Sequence, residues 1–311
     1  MEACVQERAK FSHPRVTAKG EMRATVPMVR LETLWFNTGT RCNLSCAHCY
    51  IESTPHNDRL VYITRDEVLP YLEEAKSMGT REIGLTGGEP FMNPHLLGII
   101  EDAIEREFEV LVLTNATRPM MRKRIQEDLL ALRERAGDKL TLRVSLDHFT
   151  EELHDAERGA NAFAQAREGL QWLSSNGFNL AVAGRTMWGE TEENSRSGYA
   201  ATLNDMGIEL DVSDRKKLVL FSEMRENDDP PEITTACWGI LDKSPTQIMC
   251  SSSRMVVKRK GAEHPVVLSC TLLAYDERFE MGRTLAEAST AVSLNHPWCA
   301  TFCVLGGSSC S

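Results

Sequence analysis

No run of apolar residues in this 311-residue chain is long enough to cross a bilayer, which excludes a membrane-spanning helix. The first 27 residues lack both a continuous apolar stretch and a small-residue cleavage site, so they do not read as a secretory signal and a cytoplasmic protein is expected. Basic charge is also in short supply: 45 acidic side chains against 35 basic ones leave a net charge of −10. Affinity for a phosphate backbone comes largely from Lys and Arg displacing counterions, so no nucleic acid is expected as a partner. Cysteine is missing between positions 50 and 236, yet the chain holds ten: Cys4 alone, then Cys42, Cys46 and Cys49, then six from Cys237 to Cys310. In a reducing compartment such groupings point to metal and not to disulfides.

What is present suits a globular protein with a substantial core, at 42% hydrophobic and 26% charged residues. Short apolar runs at 31–37, 82–90, 109–117, 140–147, 179–187 and 216–221 alternate with amphipathic segments, the pattern of parallel strands joined by crossover helices. Thr64 is placed to cap the first helix, where Val68, Leu72 and Ala75 share a face and Gly79 is the stop. Further helices are expected near 95–106, up to about 136, at 163–177 and at 192–206. Six βα units are too few to close an eight-stranded barrel. The expected fold is α/β: an open, partial (β/α)6 barrel of the TIM type, with an edge that something must cover. NDDPPEIT at 227–234 has the charge and proline content of a linker. It divides the chain into an N-terminal extension (1–30), the barrel (31–226) and a small cysteine-rich C-terminal domain (227–311) with a β-hairpin and a helix.

Cys42, Cys46 and Cys49 form C-x3-C-x2-C in a loop after the first strand. A [4Fe–4S] cubane takes four ligands, usually thiolates, so three cysteines leave one iron open to a small molecule. A zinc site completed by His48 is the alternative, although zinc loops usually draw their ligand pairs from separate segments. Three inert core thiols do not fit a loop that also carries Arg41, Asn43, Ser45 and His48.

This signature, with an aromatic residue before the last cysteine, resembles that of the radical S-adenosylmethionine enzymes. The resemblance implies that methionine's amino and carboxylate groups occupy the open iron, and that reductive cleavage yields a 5′-deoxyadenosyl radical able to abstract hydrogen. His48 would then lie near the adenine. LTGGEP at 85–90 resembles the family's glycine motif, in which Gly87 and Gly88 admit the methionine amino group and Glu89 accepts from it or supports the turn. For VSLD at 144–147 the resemblance implies Ser145 on the ribose or the methionine carboxylate, and Asp147 would point into the same mouth as the candidate catalytic carboxylate. Thr114 and Asn115 would come from the third strand, and Arg185 would pair with the methionine carboxylate. Asp147 as a cap of the following helix and Arg185 as a surface arginine are the alternatives. In LHDAERGANAF, which resembles an HD-x2-RG stretch of the family, His154 and Arg158 read as structural.

The later cysteines resemble the twitch or SPASM appendage of such enzymes. Cys250 and Cys270 flank an expected hairpin, residues 282–292 an expected helix, and Cys299, Cys303 and Cys310 lie in the tail. The reading is one auxiliary [4Fe–4S] cluster on Cys250, Cys270, Cys299 and Cys303, with Cys310 as replacement and Cys237 as a further candidate; a zinc knuckle of the same four is the alternative. The resemblance implies a small-molecule or peptide substrate and a reductant such as flavodoxin or ferredoxin. The roughly thirty residues before the first strand cannot fold into a recognition domain of about eighty residues, which favours a small molecule or a peptide brought by a separate carrier. A non-catalytic iron–sulfur or zinc carrier or scaffold is the competing class, and it has no use for GGEP or VSLD.

Overall fold

The structure, a computed structural model, describes residues 9–223 and 229–307. After a two-residue strand β1 (Thr25–Val26), six parallel strands follow: β2 (Thr33–Asn37), β3 (Glu82–Thr86), β4 (Glu109–Thr114), β5 (Leu140–Ser145), β6 (Asn179–Arg185) and β7 (Leu218–Phe221). Between them run α1 (Arg65–Ser77), α2 (Leu96–Glu105), α3 (Lys123–Ala136), α4 (Glu151–Arg158), α5 (Ala162–Ser175) and α6 (Glu192–Asp205). Thr64 closes a capping box on α1, accepting from Glu67 N at 3.3 Å while the Glu67 carboxylate accepts from Thr64 N at 3.0 Å.

Strand alternation builds two cores. Leu34, Phe36, Ile83, Leu85, Val110, Val112, Leu142 and Val144 pack against the helices, including Val68, Leu72, Ile99 and Leu170. Trp35 and Leu111 turn to the other face of the sheet. There is no room for a side chain at Gly84, where a Cβ would run into the Trp35 ring.

The cover for one barrel edge is the C-terminal hairpin. After a short helix α7 (Cys237–Ile240), strand β8 (Ser253–Val257) pairs in parallel with β2, from Thr33↔Ser253 to Phe36↔Val256, and β9 (Val266–Leu268) returns antiparallel. The sheet order is β7-β6-β5-β4-β3-β2-β8-β9, so the hairpin extends the barrel sheet itself. Met255, Val257 and Leu268 then close on Trp35 and Leu111.

The helix expected at 282–292 is absent. A single turn stands there, with Leu285 and Ala288 buried and the Leu285 and Ala286 N–H groups donating to the Glu74 carboxylate at 2.9 and 2.7 Å. The chain then leaves as strand β10 (Val292–Ser293), captured antiparallel by β1. A third core gathers around that pair, joining Phe11, Ala24 and Val26 to Ile233, Ile248, Phe279, Val292, Leu294 and Cys299. The residues before the barrel thus pack on the cysteine-rich region. Among the described residues, no helix is long and apolar enough to cross a membrane.

Candidate functional site

The cysteine triplet lies in the loop leaving β2, stitched to the turn after β3. Thr38 N donates to the Thr86 carbonyl at 2.7 Å, and Gly88 N to the Gly39 carbonyl at 2.8 Å. Gly87 has φ +150°, and a Cβ there would stand 2.5 Å from the Gly39 oxygen; one on Gly88 would collide with the Arg41 carbonyl. The close approach these glycines permit is to the loop before Cys42.

Glu89 is buried, and its carboxylate accepts from Phe91 N at 3.1 Å, Asn115 N at 2.8 Å and Thr114 Oγ1 at 2.9 Å. Of the two roles expected for it, this is support of the turn. Thr114 serves Glu89 in turn, and Asn115 faces the thiols: its Nδ2 lies 3.4 Å from Cys42 Sγ while its Oδ1 accepts from Arg158 Nη1 at 2.5 Å.

Asp147 is neither a free carboxylate in the mouth nor a helix cap, since Thr150 stands at the start of α4. It is 3% exposed and takes a two-pronged ion pair from Arg158, Nε to Oδ2 at 2.7 Å and Nη2 to Oδ1 at 2.9 Å. Burial alone would raise its carboxyl, but the Arg158 charge and hydrogen bonds outweigh this and hold it below the usual carboxylate range. His154 and Arg158 are both structural in this arrangement, with His154 Nδ1 accepting from Asp147 N at 3.1 Å.

Arg185 is not a loose surface arginine, but its guanidinium is already engaged. Nη2 donates to the His48 carbonyl at 2.7 Å and Nη1 to Glu157 at 3.2 Å. The His48 ring, half exposed, lies with Nδ1 2.8 Å from the same carboxylate, which also accepts from His48 N at 2.9 Å. Glu157 is the residue that sequence reasoning missed. It sits beside Arg158 on α4 and clamps a loop 109 positions away, and the only available signal was its place in the HD-x2-RG stretch. Ser145 ends β5, half-buried, in register with Ala183 of β6.

Cys42 is buried while Cys46 and Cys49 are half-buried. Burial pushes the Cys42 thiol up to about 12 and also raises Cys46, where Arg158 counteracts it. Leu44 N lies 3.5 Å from Cys42 Sγ and Ser53 N 3.3 Å from Cys49 Sγ. Amide donors to sulfur with a guanidinium behind them suit thiolates bound to iron, whose potential such bonds tune. The donor set therefore fits an iron–sulfur cluster.

The second set assembles from distant segments. Cys250 precedes β8, Cys270 follows β9, and Cys299 and Cys303 sit one turn apart on a widened, π-type helical turn, Cys299–Leu305. All four line one cavity with Leu272, Phe279, Val292 and Leu294. Burial pushes Cys250 up to about 12 and raises Cys270 and Cys299; on Cys299 the neighbouring Cys270 and Cys250 add to it. Among the described residues, no three His, Cys, Asp or Glu side chains gather as a single metal ion requires. Four thiols lining one cavity with apolar walls can supply the four ligands that a [4Fe–4S] cluster takes. Cys237 lies outside that lining, its Sγ accepting from Thr234 N at 3.3 Å. Cys4 and Cys310 lie outside the described residues.

Residues 36–195, just over half of the chain, match the family model of the Radical SAM superfamily. Over 180 residues, 58% of this chain, the sequence is 31% identical to the antilisterial bacteriocin subtilosin biosynthesis protein AlbA of Bacillus subtilis (strain 168), covering 38% of that protein. Over 137 residues, 44% of this chain, it is 32% identical to the mycofactocin maturase MftC of Mycobacterium ulcerans (strain Agy99), covering 35% of that protein. The match thus spans little more than a third of the length of these curated relatives. Streptococcus suis SuiB bound to S-adenosylmethionine superposes with a TM-score of 0.58 at 13% identity, over 81% of this chain and 63% of that one. Native anSMEcpe with bound AdoMet gives 0.55 at 16% identity, over 88% and 83%. At such identities these two show a shared fold. With the matched region holding both the thiol loop and the glycine turn, the chain belongs to the Radical SAM superfamily, whose members are enzymes using a [4Fe–4S] cluster and S-adenosylmethionine.

Proposed function

We propose that the protein cleaves S-adenosylmethionine at Cys42, Cys46 and Cys49, abstracts hydrogen from a peptide, and holds one auxiliary [4Fe–4S] cluster on Cys250, Cys270, Cys299 and Cys303. When bound, the front cluster supplies the electron that splits the sulfonium into methionine and a 5′-deoxyadenosyl radical. The chain's own residues hold the loop still. Glu89 fixes the glycine turn, Glu157 and Arg185 clamp His48, and Asn115 and Arg158 back the thiols. Trp35 and Leu111 fill the inner face of the sheet with apolar surface.

The observation that carries this reading is the separation of the thiols into two sets, three in one polar loop and four around one cavity with apolar walls. A peptide as the substrate is supported by the relatives: AlbA is named for bacteriocin biosynthesis, and SuiB has been seen bound to its precursor peptide SuiA. The reductant would be a flavodoxin or ferredoxin.

The test is anaerobic reconstitution with iron and sulfide, then dithionite and S-adenosylmethionine, with 5′-deoxyadenosine as the readout. No product from a protein with fully formed clusters would favour a carrier instead. The Cys42→Ala, Cys46→Ala, Cys49→Ala chain should make none and keep about four irons, whereas about eight would refute a single auxiliary cluster.

A further inference from the structure

Arg254 is 1% exposed, on β8 four residues after Cys250. Its guanidinium donates only to backbone carbonyls: Ala288 at 2.8 Å, Thr290 at 3.0 Å, Cys250 at 2.6 Å and Ser253 at 2.7 Å. Those bonds take up four of its five N–H hydrogens without neutralising its charge. The buried Arg23 is paired with Glu232, and the largely buried Arg158 with Asp147. Among the described residues Arg254 has no carboxylate partner, and the ionisable group acting on it is the Cys250 thiol. A buried cation left uncompensated costs several kcal/mol. Its natural counter-charge is whatever anion the adjoining cavity holds.

We propose that Arg254 is a positioning residue for the auxiliary site: a fixed counter-charge that stabilises a thiolate-bound cluster and raises its reduction potential. The physical reason is direct. A four-thiolate [4Fe–4S] cluster is an anion that becomes one charge more negative when it accepts an electron. A nearby fixed cation in a low-dielectric setting favours the reduced form more than the oxidised one. The site is thereby disposed to take an electron from a substrate radical. This rests on the auxiliary-cluster reading above.

The experiment places Arg254→Lys, Arg254→Gln and Arg254→Met in the full-length chain lacking the three front cysteines, so that only the second site reports. Iron is counted after reconstitution, and the cluster is titrated redox-potentiometrically under paramagnetic resonance. Lys should titrate with the parent. Gln and Met should show about a tenfold lower ratio of reduced to oxidised cluster at a fixed potential, a shift of about 59 mV for one electron. Loss of iron from Gln and Met with retention in Lys would also support the counter-charge. Gln and Met titrating with the parent would overturn it, as would loss of iron from all three, which would mark a purely structural anchor. A parent that holds no iron at the second site would instead sink the auxiliary-cluster reading itself.

Discussion

The two groups of thiols are held by opposite means. Around the front loop the supports are directional and charged: Arg158 on Asp147, Arg185 and His48 on Glu157, Asn115 between Arg158 and Cys42. Around the second cavity the supports are packing, with Leu272, Phe279, Val292 and Leu294 as walls and one unpaired guanidinium alongside. On the proposed function, the difference follows from what each place would admit. A loop that exchanges a small charged ligand stays partly open to water, and only geometry enforced by hydrogen bonds keeps it in place. A site that merely passes electrons can be closed, and packing is the cheaper way to close it.

If that contrast is right, each site should fail through its own kind of defect. Asp147→Ala strands Arg158 as a buried, unpaired charge and should cost about 3–5 kcal/mol. Denaturant midpoints would read the stability loss, and iron counts should fall at the front site before the rear one. Phe279→Ala opens a void beside the four thiols at a cost of about 3 kcal/mol and should empty the rear cavity while 5′-deoxyadenosine formation persists. Equal iron loss at both sites in either variant would break the comparison. A smaller effect is expected of Glu157→Gln, which weakens the grip on His48 and Arg185: about a 10- to 100-fold fall in 5′-deoxyadenosine formation with rear iron unchanged.

The legibility of these features followed their range along the chain. Hydrophobic alternation showed the six barrel strands, and Thr64 showed the start of α1, because period and caps are local. The triplet was legible for the same reason, being a spacing. The four later cysteines named as ligands do line one cavity, although no spacing could show that Cys250 and Cys299 would meet there. The pairing of β8 with β2 was not visible, since it joins residues more than two hundred positions apart. Glu157 and Arg254 were missed because a charge's partner, or its lack of one, is a property of the fold. Residues 282–292 read as a helix because apolar spacing over one turn looks the same whether or not a strand partner takes the chain afterwards.

For all their differences, the two sites each keep a histidine uncharged beside them, and this gives the finest test of the comparison. His154, next to Asp147, and His296, packed against Phe279 and Trp298, are both lowered to about 4, chiefly by burial. Arg158 lowers His154 further while Asp147 and Asp155 oppose it; at His296 the opposing charge is Asp276, with Arg278 reinforcing the shift. An unfolded histidine titrates near 6.5, so between about pH 4 and 6.5 the unfolded chain holds protons that the folded one does not, and stability rises with pH across that window. Each histidine's contribution is fully present above about 6.5 and should have fallen by about 1 kcal/mol at pH 5.5. Asp147 acts elsewhere on the scale: with its carboxyl held below the usual range, its contribution is lost only below about pH 4. Both rings accept a backbone N–H at Nδ1, from Asp147 and Trp298 at 3.1 Å each, an interaction the amide oxygen of asparagine can replace. His154→Asn and His296→Asn should therefore each remove about half of the slope in denaturant midpoint between pH 7.5 and 5.5. If only one of them does, the acid sensitivity belongs to a single site, and the parity of the two neutral rings is lost.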